Sequence, residues 1–134
     1  MYLFDTDTLS NVVKPRPSKR LLEKLKKLPA DTQFTTAINI GEIYFGARRS
    51  PSERRILDAF EKKVFPTLTV LPFDRESGVV FGRLKAETQK RGIGCSEPDL
   101  RIATIAIQHG FTLITGNTRH FQPIPGLQFE NWIE

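Results

Sequence analysis

Four carboxylates and one amide stand out for what they could do together. Asp5 and Asp7 follow the apolar run Tyr2–Leu3–Phe4, Glu42 lies inside the segment NIGEIYFGA, Asp99 follows SEP, and Asn117 follows FTLITG. A turn explains Asp5 and Asp7 equally well, since Asp and Thr cap helices and Asp7 could open one at Thr8. Glu42 is harder to explain that way. Ile38 and Phe45 flank it at helical spacing, so the pattern predicts a Glu kept from water, which is costly without a partner or a cation. Acids gathered on one edge without Arg or Lys in their motifs do not all stay ionised unaided. A hard divalent cation relieves that repulsion, and Mg²⁺ or Mn²⁺ takes oxygen ligands while keeping waters for a phosphate. The chemistry this donor set points to is metal-assisted phosphodiester hydrolysis.

Such convergence needs elements that bring distant segments to one edge. Apolar runs predict strands at the N-terminus, at QFTTA (33–37), TLTVLPF (67–73) and FTLIT (111–115), with a last edge strand in GLQFENW (126–132). Helical spacing predicts helices over 18–28, 39–49, 50–65, 74–92 and 96–110, the last two closed by Gly92 and Gly110. GNTRHF reads as a loop or short turn. Strands alternating with helices predict an α/β fold with a mostly parallel central sheet flanked by helices, one domain over residues 1–134. Ligands of such sheets bind beyond the carboxyl ends of the strands. Asp5 and Asn117 fall there directly. Glu42 lies within the helix after the second strand. Asp99 begins a helix antiparallel to FTLIT, so it starts at the same edge. Ser96, three residues before Asp99, gives that start a capping signal as well.

Charge widens the picture. The formal net charge is +5, and basic residues cluster in KPRPSKR (14–20) and around Lys24–Lys27, Arg48–Arg49, Arg54–Arg55, Lys62–Lys63 and 83–91. A polyanionic partner fits that balance. No apolar stretch reaches the roughly 20 residues of a membrane span, and no signal peptide is visible, so a cytoplasmic protein is expected. The single Cys95 excludes an internal disulfide, and no spacing forms a structural zinc site.

Three other readings remain open on these residues. YLFDTDTL and LITGN are similar to the first two motifs of haloacid dehalogenase phosphatases, with Asp5 as nucleophile and Asp7 as acid/base. That class needs a late acidic pair, and only Glu130 and Glu134 remain after LITGN. A receiver domain fits the length but wants an aspartate ending the third strand, where Asp74 is a poor match, and a late lysine, whereas the last is Lys90. A basic adaptor that binds RNA or protein without catalysis is the third.

Taken in order, YLFDTD, TTAINIGEIYFGA (35–47), RLKAETQKRGIGCSEPDLRIATIA (83–106) and LITGNTRHFQPIPGLQFENW (113–132) resemble the PIN-domain ribonucleases, and more closely the VapC-type toxins of toxin–antitoxin pairs. The resemblance implies Asp5, Glu42 and Asp99 as metal-binding and catalytic carboxylates, with Asn117 where many members have Asp and others Asn. It implies a Mg²⁺-dependent endoribonuclease (Mn²⁺ as substitute), an RNA substrate such as transfer RNA, a homodimer, and a cognate VapB-like antitoxin. Thr6 and Thr115 are expected to help place the acids. Two positions depart from the family pattern. Asp7 stands where Asn is common, and His120 where Glu is common in closely similar toxins.

Overall fold

The computed structural model describes residues 1–134. Five strands form one sheet in the order β3-β2-β1-β4-β5, and every neighbouring pair is parallel. They are β1 (Tyr2–Phe4), β2 (Gln33–Thr36), β3 (Thr69–Leu71), β4 (Thr112–Ile114) and β5 (Phe129–Glu130). Around them lie α1 (Thr6–Val12), α2 (Lys19–Lys26), α3 (Ala37–Arg48), α4 (Glu53–Ala59), α5 (Arg75–Lys90), α6 (Glu97–His109) and α7 (Thr118–Phe121). The predicted α/β class and parallel sheet are therefore observed.

Alternation in the central strands builds the two sides of the core. Leu3 and Leu113 point to one face, where they pack with Leu84 of α5, with Leu100, Ile102, Ala103, Ile105 and Ala106 of α6, and with Phe121 of α7. Phe4 and Ile114 point to the other, with Leu9, Leu21, Ile43, Phe60, Val64 and Trp132. Both faces of β1 and β4 are thus dry, as a parallel sheet requires. Chain order reverses at β1, which lies between β2 and β4. The carboxyl ends of β1 and β4 therefore flank the switch point where such sheets place ligands.

Local punctuation follows the chemistry of the sequence. Ser18, Asp74 and Ser96 cap α2, α5 and α6 through their side chains, and Gly110 closes α6 at φ +69°. Four expectations shift. The first helix starts at Thr6 with Asp5, not Asp7, as its cap. The predicted helix over 50–65 is α4 followed by a wider π turn (Phe60–Val64) and a 3-10 turn containing Pro66. Pro66 lacks the N–H an α-helix would use there, which ends regular winding. TLTVLPF yields only three strand residues at the sheet edge. Within GNTRHF, residues Thr118–Phe121 close one helical turn, because Phe121 is drawn wholly into the core.

Candidate active site

Asp5 follows β1 directly and is 4% exposed, the only acid in the core. Its Oδ1 accepts the N–H of Thr6 at 2.9 Å and the Nδ2–H of Asn39 at 3.0 Å; Oδ2 accepts the Thr115 hydroxyl at 2.8 Å. All these donors are neutral. Burial pushes the Asp5 carboxyl up to about 6. The Thr115 and Thr6 bonds pull it down, and the charges of Asp7 and Glu42 push it further up.

Glu42 sits in α3, one turn beyond Asn39. Its Oε1 accepts the Thr6 hydroxyl at 2.6 Å, and Thr6 Oγ1 in turn accepts the Asn39 amide at 3.0 Å. Asp5 and Glu42 are thus joined through Thr6 and Asn39. Asn39 is held from behind: its Oδ1 accepts the Thr36 hydroxyl at 2.6 Å and the Thr36 backbone N–H at 3.3 Å, while its own backbone N–H donates to Thr36 Oγ1 at 3.2 Å, a reciprocal cap at the start of α3. The expectation that apolar neighbours shut Glu42 away from water needs correcting. Glu42 is only half-buried, and Phe45 is 63% exposed, so this side chain opens toward solvent.

Asp99 lies in the first turn of α6, half-buried, on a hollow of about 390 Å³ that it shares with Gly94, Cys95, Ser96, Arg119 and His120. His120 Nδ1 approaches Asp99 Oδ2 at 3.8 Å. Burial, then Asp99, raises the Cys95 thiol above its ordinary value, which leaves it a poor nucleophile. Asn117 is exposed at the start of α7; its backbone N–H donates to Thr115 Oγ1 at 3.0 Å. Asn117 borders a second hollow, with Gly116, Thr118 and the same Arg119 and His120. An apolar groove elsewhere, lined by Phe4, Leu9, Val12, Leu22, Leu25 and Leu68 among others, contains none of the four residues.

The four candidate residues therefore lie toward the carboxyl ends of the strands in two groups: Asp5 with Glu42, and Asp99 beside the Asn117 loop. No three acid, His or Cys side chains come close enough to ligate one ion by themselves. No Lys or Arg pairs with Asp5, Asp7, Glu42 or Asp99 either. The donor set is all oxygen, and its charge has no Lys or Arg partner in the chain. That fits Mg²⁺ or Mn²⁺, which commonly uses one or two carboxylates and completes its shell with water and phosphate. Sequence reasoning missed Asn39. The signal was present, a T-x-x-N spacing after a strand with the Asn one turn before Glu42, but Asn at such a place reads first as a cap.

A family model for the PIN domain matches residues 2–126. Ribonuclease VapC2 of Haemophilus influenzae is 32% identical over 134 residues, covering 98% of each chain. The tRNA(fMet)-specific endonuclease VapC of Salmonella typhimurium is 28% identical, covering 98% of this chain and 97% of its own. Among solved structures, the DNA-bound VapBC of Salmonella typhimurium superposes with a TM-score of 0.89 at 28% identity, over 98% of this chain and 97% of that one. VapBC2 of Rickettsia felis, bound to a DNA fragment from their promoter, gives 0.88 at 26% identity over 98% of both chains.

Proposed function

The chain belongs to the PIN-domain family, and we propose that it is a metal-dependent endoribonuclease, the toxin of a type II toxin–antitoxin pair, cutting phosphodiester bonds of RNA. Its relatives over nearly full length are VapC ribonucleases, and its structural neighbours were solved as VapBC complexes. The observation that carries the reading is the buried, uncompensated carboxylate of Asp5, joined through Thr6 to Glu42 at the switch point of the sheet. A carboxylate dried this far, with only neutral donors, fits a cation better than a purely structural role.

Asp5, Glu42 and Asp99 are the residues proposed to hold Mg²⁺ or Mn²⁺, directly or through waters of its shell, since no three acids stand close enough to ligate one ion by themselves. A bound ion supplies Lewis acidity, polarising the phosphoryl oxygens and acidifying a water. The chain does the rest. Asn39 and Thr115 fix both oxygens of Asp5, so its orientation is set before substrate arrives. Glu42, half open to solvent, is placed to orient the attacking water and accept its proton at a carboxylate oxygen. Asn117 offers an amide to a phosphate oxygen or to water. The basic surface draws in the RNA backbone, and transfer RNA is the substrate class proposed.

The partners proposed are a VapB-type antitoxin and a second copy of the chain. No helix is long and apolar enough to cross a membrane, and the place of action proposed is the cytoplasm, where RNA is found. A dehalogenase-type phosphatase has less support: Glu130, one of its two late acids, accepts the Trp132 indole N–H at 3.0 Å. The test is cleavage of bulk transfer RNA. Cutting with Mg²⁺ or Mn²⁺ and none in EDTA is expected. Full cleavage in EDTA, or hydrolysis of p-nitrophenyl phosphate with RNA left intact, would contradict the assignment.

A further inference from the structure

Asp7 has no part in the chemistry above, although it is two residues from the buried Asp5. Its carboxylate reaches across to the loop after β4. Oδ2 accepts the backbone N–H of Gly116 at 2.8 Å, while Oδ1 makes only a long contact with the Thr8 hydroxyl, 3.4 Å. A second observation stands beside this bond. A Cβ at position 116 would lie 2.6 Å from Asp7 Oδ2 and 3.1 Å from Ile133 Cδ1. Gly116 does not have a positive φ, so close approach, and not backbone conformation, is what demands a glycine there.

Gly116 lies between two residues of the site. Thr115 before it donates its hydroxyl to Asp5 and accepts the N–H of Asn117. We propose that Asp7 is a positioning residue: it clamps the 115–117 loop onto the first turn of α1, and so holds Thr115 and Asn117 in register with Asp5. The inference rests on the ribonuclease reading for its kinetic consequence. The clamp needs an acceptor oxygen at this place and no negative charge. An Asn side chain supplies the same oxygen, and an Ala supplies none.

The experiment compares D7A, D7N and G116A with wild-type full-length protein. It uses single-turnover cleavage of bulk transfer RNA in Mg²⁺ over a range of protein concentrations, together with amide hydrogen exchange of residues 115–118. D7A is expected to lower the maximal rate about tenfold to a hundredfold, the order that a misplaced group costs. Its half-saturating concentration stays within about threefold, since phosphate contacts elsewhere supply most RNA affinity. Exchange at Gly116 and Asn117 speeds up. D7N keeps rate and protection near wild type. G116A slows cleavage, and slows it less in the D7A background, where the clash with Oδ2 is gone. D7A with wild-type rate and protection overturns the proposal. So does D7N as slow as D7A, because the negative charge itself would then be required. If wild-type protein cuts no RNA, the ribonuclease reading fails on its own, and the exchange data still decide whether the clamp exists.

Discussion

The two halves of the candidate site are built differently. Around Asp5 every polar atom is tied: Asn39, Thr6 and Thr115 hold the acid, Thr36 holds Asn39, and Asp5, Thr36, Asn39 and Thr115 are all buried. Around Asp99 the side chains stand open. His120 is 62% exposed, Asn117 and Arg119 are exposed, and the His120 ring stands 3.8 Å from Asp99, beyond hydrogen-bond reach. The first half keeps a carboxylate in one geometry against its own solvation preference. The second leaves room for a large polyanion to arrive and leave. Preorganisation costs folding free energy, so the division has a consequence: equal losses of activity should come with unequal changes in stability.

Asp5→Asn should show the largest effect. Folding raises the Asp5 carboxyl from 3.8 to about 6, so the native state holds this proton more tightly than the unfolded chain. The group's contribution to stability therefore falls as pH rises from 3.8 to about 6, and above that the native state carries the full cost of an ionised buried acid. At pH 7.5 in EDTA, Asp5→Asn should unfold at higher urea than wild type, a gain of up to about 3 kcal/mol, and the two proteins should converge near pH 4. RNA cleavage by this variant should fall about a thousandfold or more, as expected when metal and its charge stabilisation are lost. Equal stability at pH 7.5 would mean that Asp5 is not strained by burial.

Asn39→Ala comes next. It removes the amide from Asp5 and Thr6 and undoes the cap on α3, and should cost about 2 kcal/mol by urea unfolding. A loss below about 0.5 kcal/mol would remove the claim that the first half is tightly held. Asp99→Asn should abolish cleavage as fully as Asp5→Asn does, yet shift stability by no more than about 0.5 kcal/mol, since the group is half-open and its helix keeps its Ser96 cap. His120→Ala should be smallest, with stability unchanged within about 0.5 kcal/mol and cleavage slowed less than about tenfold. If Asp99→Asn moved stability as far as Asp5→Asn, the two halves would not differ as described.

What could be read in the sequence divides along another line, short-range signals against contacts between distant segments. The β1 run and its Asp5, the parallel α/β order and the Ser96–Asp99 helix start follow from local patterns, because apolar period and capping are short-range signals. For Glu42 the sequence pattern carries only part of the reason. Spacing along one helix tells which residues neighbour it, not which side faces the core, and in α3 the apolar residues are spread between core (Ile43) and surface (Phe45). The Asn39–Asp5 and Gly116–Asp7 hydrogen bonds join groups 34 and 109 residues apart in sequence, which no local pattern carries. Pro66, which ends the winding beyond α4, is legible in the sequence, whereas the widening into a π turn over Phe60–Val64 has no signal in helical spacing.

Binding of Mn²⁺ tests most directly whether the two halves serve one ion. Electron paramagnetic resonance of free Mn²⁺, titrated with wild type, Asp5→Asn and Asp99→Asn without RNA, reads it independently of cleavage. The expected result is saturable binding by wild type that weakens at least about tenfold in both variants. Wild-type affinity in Asp99→Asn, with binding lost only in Asp5→Asn, would contradict a shared metal site and leave Asp99 to the RNA alone.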